Sequence, residues 1–347
     1  MIKTLSLLLL ILSLVIPSNS HAQVSSVQGT VSDGSTLTIT GSGFRTGDNT
    51  PLVWDNFQSG TAGSPLNSSP QIGSWKPDSR PVPVYSTTQS HSGSQSCYAA
   101  YDANNQWSNF LVNPLPLADR FYQSFWYRWS TAGSNGQLKL MQVHGNSGRG
   151  DFAPGVMSGS STTGWWLTYI STESGANDLN TRVNYPFFPG PGAWHHFEMI
   201  LQRSSGGNTP DGRVIIWIDN KEAYKKTNAV TRENSTSNWQ EISFFHGVTN
   251  MGTNTDIFLD DAYLNDSWAR VIIGDSPTYA NITHSETQVV TQWSDTSIKV
   301  TLNKGSFSNF TNTYLYVIDQ DGNVNSGGFP LSQTSAAPKP PANLKVQ

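Results

Sequence analysis

From Phe121 to Leu264 the chain is a succession of short apolar-rich runs, each closed by a turn of Gly, Asn, Ser or Pro. Phe121–Trp129, Gln137–His144, Gly164–Ile170, Trp194–Gln202, Gly212–Ile218, Glu222–Lys225, Glu241–His246 and Asp256–Leu264 are the clearest. No helical period survives beyond a turn or two. Aromatic and β-branched side chains fill these runs, and such residues fit a pleated, partly buried surface. The pattern predicts an all-β chain whose central part is a jelly-roll sandwich.

The two ends carry a different style of strand. In Ser35–Phe44, Leu37 and Ile39 alternate with threonines, which marks a strand buried on one face only. Far downstream, Trp293–Leu302 places Ile298, Val300 and Leu302 on one face, and Thr313–Gly322 ends in an Asp-Gly turn. Each set is too short to bury a core alone, so the expectation is that they pair and that the jelly roll is inserted between them.

Charge narrows the partners. Charged residues make up 13% of the chain and the net charge is −4, against roughly 25% charged in ordinary soluble proteins. Without a basic field, nucleic acid and anionic membrane surfaces are excluded as partners. The single cysteine, Cys97, excludes an intrachain disulfide framework and a multi-cysteine metal site.

At the N-terminus, Lys3 precedes an apolar run from Leu7 to Ile16, and Ser20-His21-Ala22 offers small residues at a cleavage site. This predicts a signal peptide over residues 1–22 and a secreted protein, extracellular or periplasmic. No later stretch is apolar enough to span a membrane. The expected organisation is then 23–52 and 271–331 as two parts of one small module, 53–270 as the jelly roll, and 332–347 as a Pro-rich tail.

Two resemblances sharpen this. Ser35-Thr-Leu-Thr-Ile-Thr-Gly-Ser-Gly-Phe44, with Trp293–Val300 and Leu315–Val324, resembles the immunoglobulin-like TIG/IPT domain. Gly192–Glu198, Asp211–Asn220 and Phe258–Tyr263 resemble strands of concanavalin A-like jelly rolls, a group that includes laminin-G modules, lectins and polysaccharide lyases. That fold serves binding and catalysis alike.

Candidate chemistry is sparse. Hydrolysis in such a fold needs paired carboxylates; the glutamates are scattered and no Glu-x-Asp-x-x-Glu pattern exists. Gln142-Val-His144 resembles the Gln-(Ile/Val)-His signature of jelly-roll alginate lyases. The resemblance implies that Gln142 binds a uronate carboxylate and His144 takes the C5 proton; Tyr169, on the next expected strand, is the candidate acid, and Arg128 and Lys139 are candidates to assist. The Arg-rich strand and the Tyr-x-Lys-x-Gly-x-Tyr strand of those lyases have no counterpart here. Trp126, Trp129, Trp165 and Trp166, with Lys139, are candidates for stacking on and binding sugar rings.

Adjacent strand residues point to opposite faces, so neither His195-His196 nor Asp260-Asp261 is expected to act as a pair. No cofactor is implied, and Ca²⁺ is left open at one of the two aspartates with loop oxygens. The leading function is recognition of a polysaccharide or cell-surface glycan on the concave face of the jelly roll. The alternatives are a lyase that cleaves uronic acid polymers by β-elimination and a structural or adhesion module.

Overall fold

The computed structural model describes residues 21–66, 70–77, 82–101, 110–112, 116, 118–130, 137–145, 150–158, 165–170, 182–184, 191–207, 209–231, 239–249, 254–325 and 327–333. At 77, 110–112, 137–142, 144–145, 150–158, 165–170, 182–184 and 245–249 this description is of the backbone alone. The expected signal segment, except for its last two residues, and nearly all of the Pro-rich tail lie outside the described residues.

Apart from the single 3₁₀ turns Tyr279–Asn281 and Leu331–Gln333, every regular element described is a strand. The large sandwich has two antiparallel sheets. One holds seven strands in the order Arg182–Asn184, Trp165–Ile170, Gly150–Ser158, Gln137–Gly145, Trp239–Thr249, Phe110–Val112 and Lys76–Pro77. The other runs Lys221–Ala229, Gly212–Ile218, His195–Gln202, Arg120–Trp129, Thr255–Asn265, Ser96–Tyr101 and Val84–Ser86, with Val53–Asp55 also paired to Thr255–Asn265. Phe125, Phe197, Met199 and Leu259 from the second sheet meet Val143, Ile242 and Phe244 from the first in one core. The fold is an all-β jelly roll, as the strand pattern predicted.

A smaller sandwich is built from both chain ends. Gln23–Gln28, Thr36–Ser42, Ser297–Thr301 and Val289–Trp293 form one sheet; Ser285–Thr287, Arg270–Gly274, Tyr314–Ile318 and Phe329–Pro330 form the other. Leu37 pairs with Val300 and Ile39 with Ile298. These four, with Leu302, Val271, Ile273, Leu315 and Val317, share a core separate from that of the jelly roll.

The two sandwiches meet on the outer face of the eight-stranded sheet. Tyr122, Ile200, Ile215, Tyr263 and Trp268 form an apolar patch there with Trp54 and with Val289 of the small sandwich. Arg120–Trp129 is therefore covered on both sides, by the core within and the small sandwich without, and is buried along most of its length. Among the described residues, no helix is long and apolar enough to cross a membrane.

Candidate functional site

Gln142 and His144 lie on Gln137–Gly145, the middle strand of the seven-stranded sheet. Gln142 is paired with Ser243; His144 is paired with Glu241 on one side and Gly150 on the other. They occupy the register positions alternate to Val143, which is in the core. Lys139 is on the same strand, paired with Gly247. Tyr169, Trp165 and Trp166 are on Trp165–Ile170, which is not adjacent to the His144 strand: Gly150–Ser158 runs between them. Sequence reasoning missed that strand because Pro154-Gly155 in its middle reads as a turn. The side chains of Gln142, His144, Lys139, Tyr169, Trp165 and Trp166 lie outside the described residues.

Three of the expected site residues belong to the other sheet. Arg128 is paired with Phe258, and its guanidinium donates to the Gly192 carbonyl. The sandwich core separates its strand from that of Gln142 and His144, so these residues do not form one cluster. Trp129 is 0% exposed, packed within the core. Trp126 faces the other way but is only 7% exposed. Neither tryptophan offers a free face for a sugar ring, because their strand is covered on both sides.

What Trp126 does instead defines the most elaborate polar site among the described residues. Its ring lies between the imidazoles of His91, at 3.6 Å between centroids, and His196, at 4.8 Å, both nearly parallel to it. Its Nε1 donates to Glu286 Oε2 at 3.0 Å. Glu286 is on the small sandwich and is 0% exposed. Its other oxygen, Oε1, lies 2.8 Å from His91 Nε2 and 2.9 Å from His284 Nε2, and accepts the Ser306 N–H at 3.1 Å. Gly305 allows this approach, since a Cβ there would collide with the Glu286 carboxylate.

Asp260 and Asp261 complete the site, and here the expectation of opposite faces fails. Pairing with Arg120–Trp129 jumps from Asp260↔Trp126 to Tyr263↔Ser124, a bulge in which Asp261 takes a φ of 50°. The bulge turns both carboxylates toward the loop at His91-Ser92. Asp260 Oδ2 accepts the N–H groups of His91 at 2.9 Å and Ser92 at 3.1 Å, and its Oδ1 accepts the Asp261 N–H at 3.0 Å. Asp261 Oδ1 accepts the Ser92 hydroxyl at 3.0 Å. Further along the junction, Tyr122 donates to Glu198 Oε1 at 2.7 Å, and His196 Nε2 lies 2.8 Å from Ser124 Oγ.

Burial sets the electrostatics. It pushes the Asp260 carboxyl well above the usual carboxylate range, against three hydrogen bonds that favour the ion. Burial does the same to Asp261, reinforced by the charges of Asp260 and Glu286. Burial also opposes ionisation of Glu286, but the charge of His91 and hydrogen bonds from His284 and His91 outweigh it and hold that carboxyl far below the ordinary range. Burial lowers His196 and favours its neutral form.

Nothing in the pattern of the sequence singles out His91 or Glu286, because their burial arises only when the two sandwiches dock. His195-His196 behaves as alternation requires: His195 Nδ1 contacts Asp219 Oδ2 at 2.9 Å, while His196 faces the junction.

Neither a family model nor a curated protein sequence matches the chain. Solved structures do match its fold. The cellulose induced protein Cip1 aligns over 62% of this chain and 97% of its own, with 17% identity and a TM-score of 0.41. Alginate lyase Aly36B, in complex with an alginate trisaccharide, aligns over 61% and 96%, with 12% identity and a TM-score of 0.47. The endo-β-1,4-glucuronan lyase of the fungus Trichoderma reesei aligns over 62% and 95%, with 12% identity and a TM-score of 0.44. These likenesses are of fold alone.

Proposed function

We propose that this is a secreted polysaccharide-recognition protein that holds its ligand on the outer face of the seven-stranded sheet. The observation that carries this reading is the position of the small sandwich. It buries the outer face of the eight-stranded sheet around Trp54, Tyr122, Tyr263 and Trp268, so the seven-stranded sheet is the one that faces away from the junction. A broad seven-stranded sheet surface suits an extended polymer better than a compact small molecule. The small sandwich, read here as a TIG-like module, then serves as a mount for the jelly roll. Pull-down and affinity electrophoresis against acidic and neutral polysaccharides test this, with retention of the folded chain by at least one polymer as the supporting result.

One observation favours a second reading. Gln142 and His144 stand at alternate positions of the strand at the middle of that same sheet. In a uronate polymer, an amide beside the carboxylate would stabilise the charge that develops after loss of the C5 proton, and a neutral imidazole would accept that proton. Absorbance from an unsaturated uronate product separates a lyase from a binder.

A further inference from the structure

We propose that His91, Asp261 and Glu286 form a binding site for a divalent cation of the zinc class at the junction of the two sandwiches. One donor atom from each lies within 4.8 Å of the other two. The set draws on three separate parts of the chain: the loop before Ser96–Tyr101, the bulge in Thr255–Asn265, and the Ser285–Thr287 strand of the small sandwich. It is thus assembled only by docking.

Asp261 supplies the observation that asks for a ligand. Its residue is 4% exposed and its Oδ2 has no hydrogen-bond partner. A buried carboxylate oxygen left unpaired is costly, and a metal ion is one of the few groups that offset that cost. The surroundings point the same way. Three carboxyl groups, of Asp260, Asp261 and Glu286, are buried together, and the His91 and His284 rings both contact Glu286.

The donors are held ready. The His91 ring is fixed by its stack on Trp126, and the Glu286 carboxylate by Trp126, His284 and Ser306. Asp260 takes no part as a ligand; its two oxygens hold the backbone of His91, Ser92 and Asp261 in place. Such outer support is what orients metal ligands. Around zinc, tetrahedral donors about 2.1 Å from the ion stand roughly 3.4 Å apart. His91 Nε2 and Glu286 Oε1, 2.8 Å apart, must open slightly, and the Asp261 oxygen must reach that spacing from within 4.8 Å. Nε2 is the His91 atom that faces the Glu286 carboxylate, and it would present its lone pair to the ion. A cleft of about 480 Å³, lined in part by Ser92, Gly93, Lys304 and Gly305, lies beside the site.

One imidazole with two carboxylates selects zinc over calcium or magnesium, which prefer oxygen donors alone. The test uses the full mature chain stripped with chelator and titrated with zinc chloride, followed by calorimetry, metal analysis after dialysis, and thermal melting. The account expects one zinc per chain and a raised melting temperature. Asp261→Asn is the informative variant. Asn tolerates the positive φ and retains an acceptor for Ser92, so the apo protein should melt no lower than apo wild type. Its zinc affinity should nevertheless fall at least ~100-fold. Absence of retained zinc in the wild type, equal binding by Asp261→Asn, or displacement of zinc by equimolar calcium would overturn the proposal.

Discussion

Leu37 and Val300 stand opposite each other in one antiparallel strand pair, with the whole jelly roll inserted in the chain between them. Both side chains are fully buried in the core of the small sandwich. Leu37→Ala should therefore cost about 2–5 kcal/mol, the range for a large-to-small core change. Leu37→Ala combined with Val300→Ala should depart measurably from the sum of the single changes, because the two sites share one cavity. Chemical denaturation of the four proteins measures this, and strict additivity would count against a shared core.

Tyr122 donates its hydroxyl to Glu198 beneath the junction, and Arg270 Nε lies 3.7 Å from the same carboxylate oxygen. Tyr122→Phe keeps the ring under the Arg270 guanidinium but leaves that oxygen without its hydroxyl donor. The expected loss is about 1–3 kcal/mol, the penalty for a buried polar group left short of a partner. An unchanged denaturation midpoint would contradict the hydrogen bond's role.

Asp55 gives a pH signature. Burial lifts its carboxyl to about 6 from 3.8, against hydrogen bonds from Trp75 and the Phe57 N–H. An acid whose pKa is higher in the folded state holds its proton more tightly when folded. Its contribution to stability therefore rises as pH falls from above 6 toward 4, by about 3 kcal/mol at most. Asp55→Asn should remove that slope, whatever its effect on the absolute level. Parallel pH dependences for the two proteins between pH 4 and 7 would show that Asp55 does not titrate in this window.

These results mark where the sequence was legible. The alternation of Leu37 and Ile39 was readable because only one face of their strand is buried, and the pairing with Ile298 and Val300 followed. Trp126 and Trp129 misled for the opposite reason: burial on both faces produces an aromatic run that looks the same as an exposed platform. Asp260 and Asp261 defeated the alternation rule through a bulge that no local residue pattern announces. Gly150–Ser158 was hidden by Pro154-Gly155. His91 and Glu286 acquire their meaning only from contacts between segments far apart in the chain.

His144 separates the two readings of the jelly roll. In a lyase, His144→Ala should lower the rate of unsaturated-product formation by at least ~100-fold while polymer retention stays nearly intact, as for loss of a general base. In a binder there is no product in either protein, and the change registers as weaker retention. Kinetics and affinity electrophoresis on the same preparations distinguish the outcomes.

The central claim is that the seven-stranded sheet holds a polysaccharide. Affinity electrophoresis of wild type and of Gln142→Ala/His144→Ala, against one panel of acidic and neutral polysaccharides, tests it most directly. The account predicts that at least one polymer retards the wild type and that the double variant, folded to the same melting temperature, migrates faster in that gel. Equal retardation of the two proteins by every polymer, or no retardation of the folded wild type by any, would contradict it.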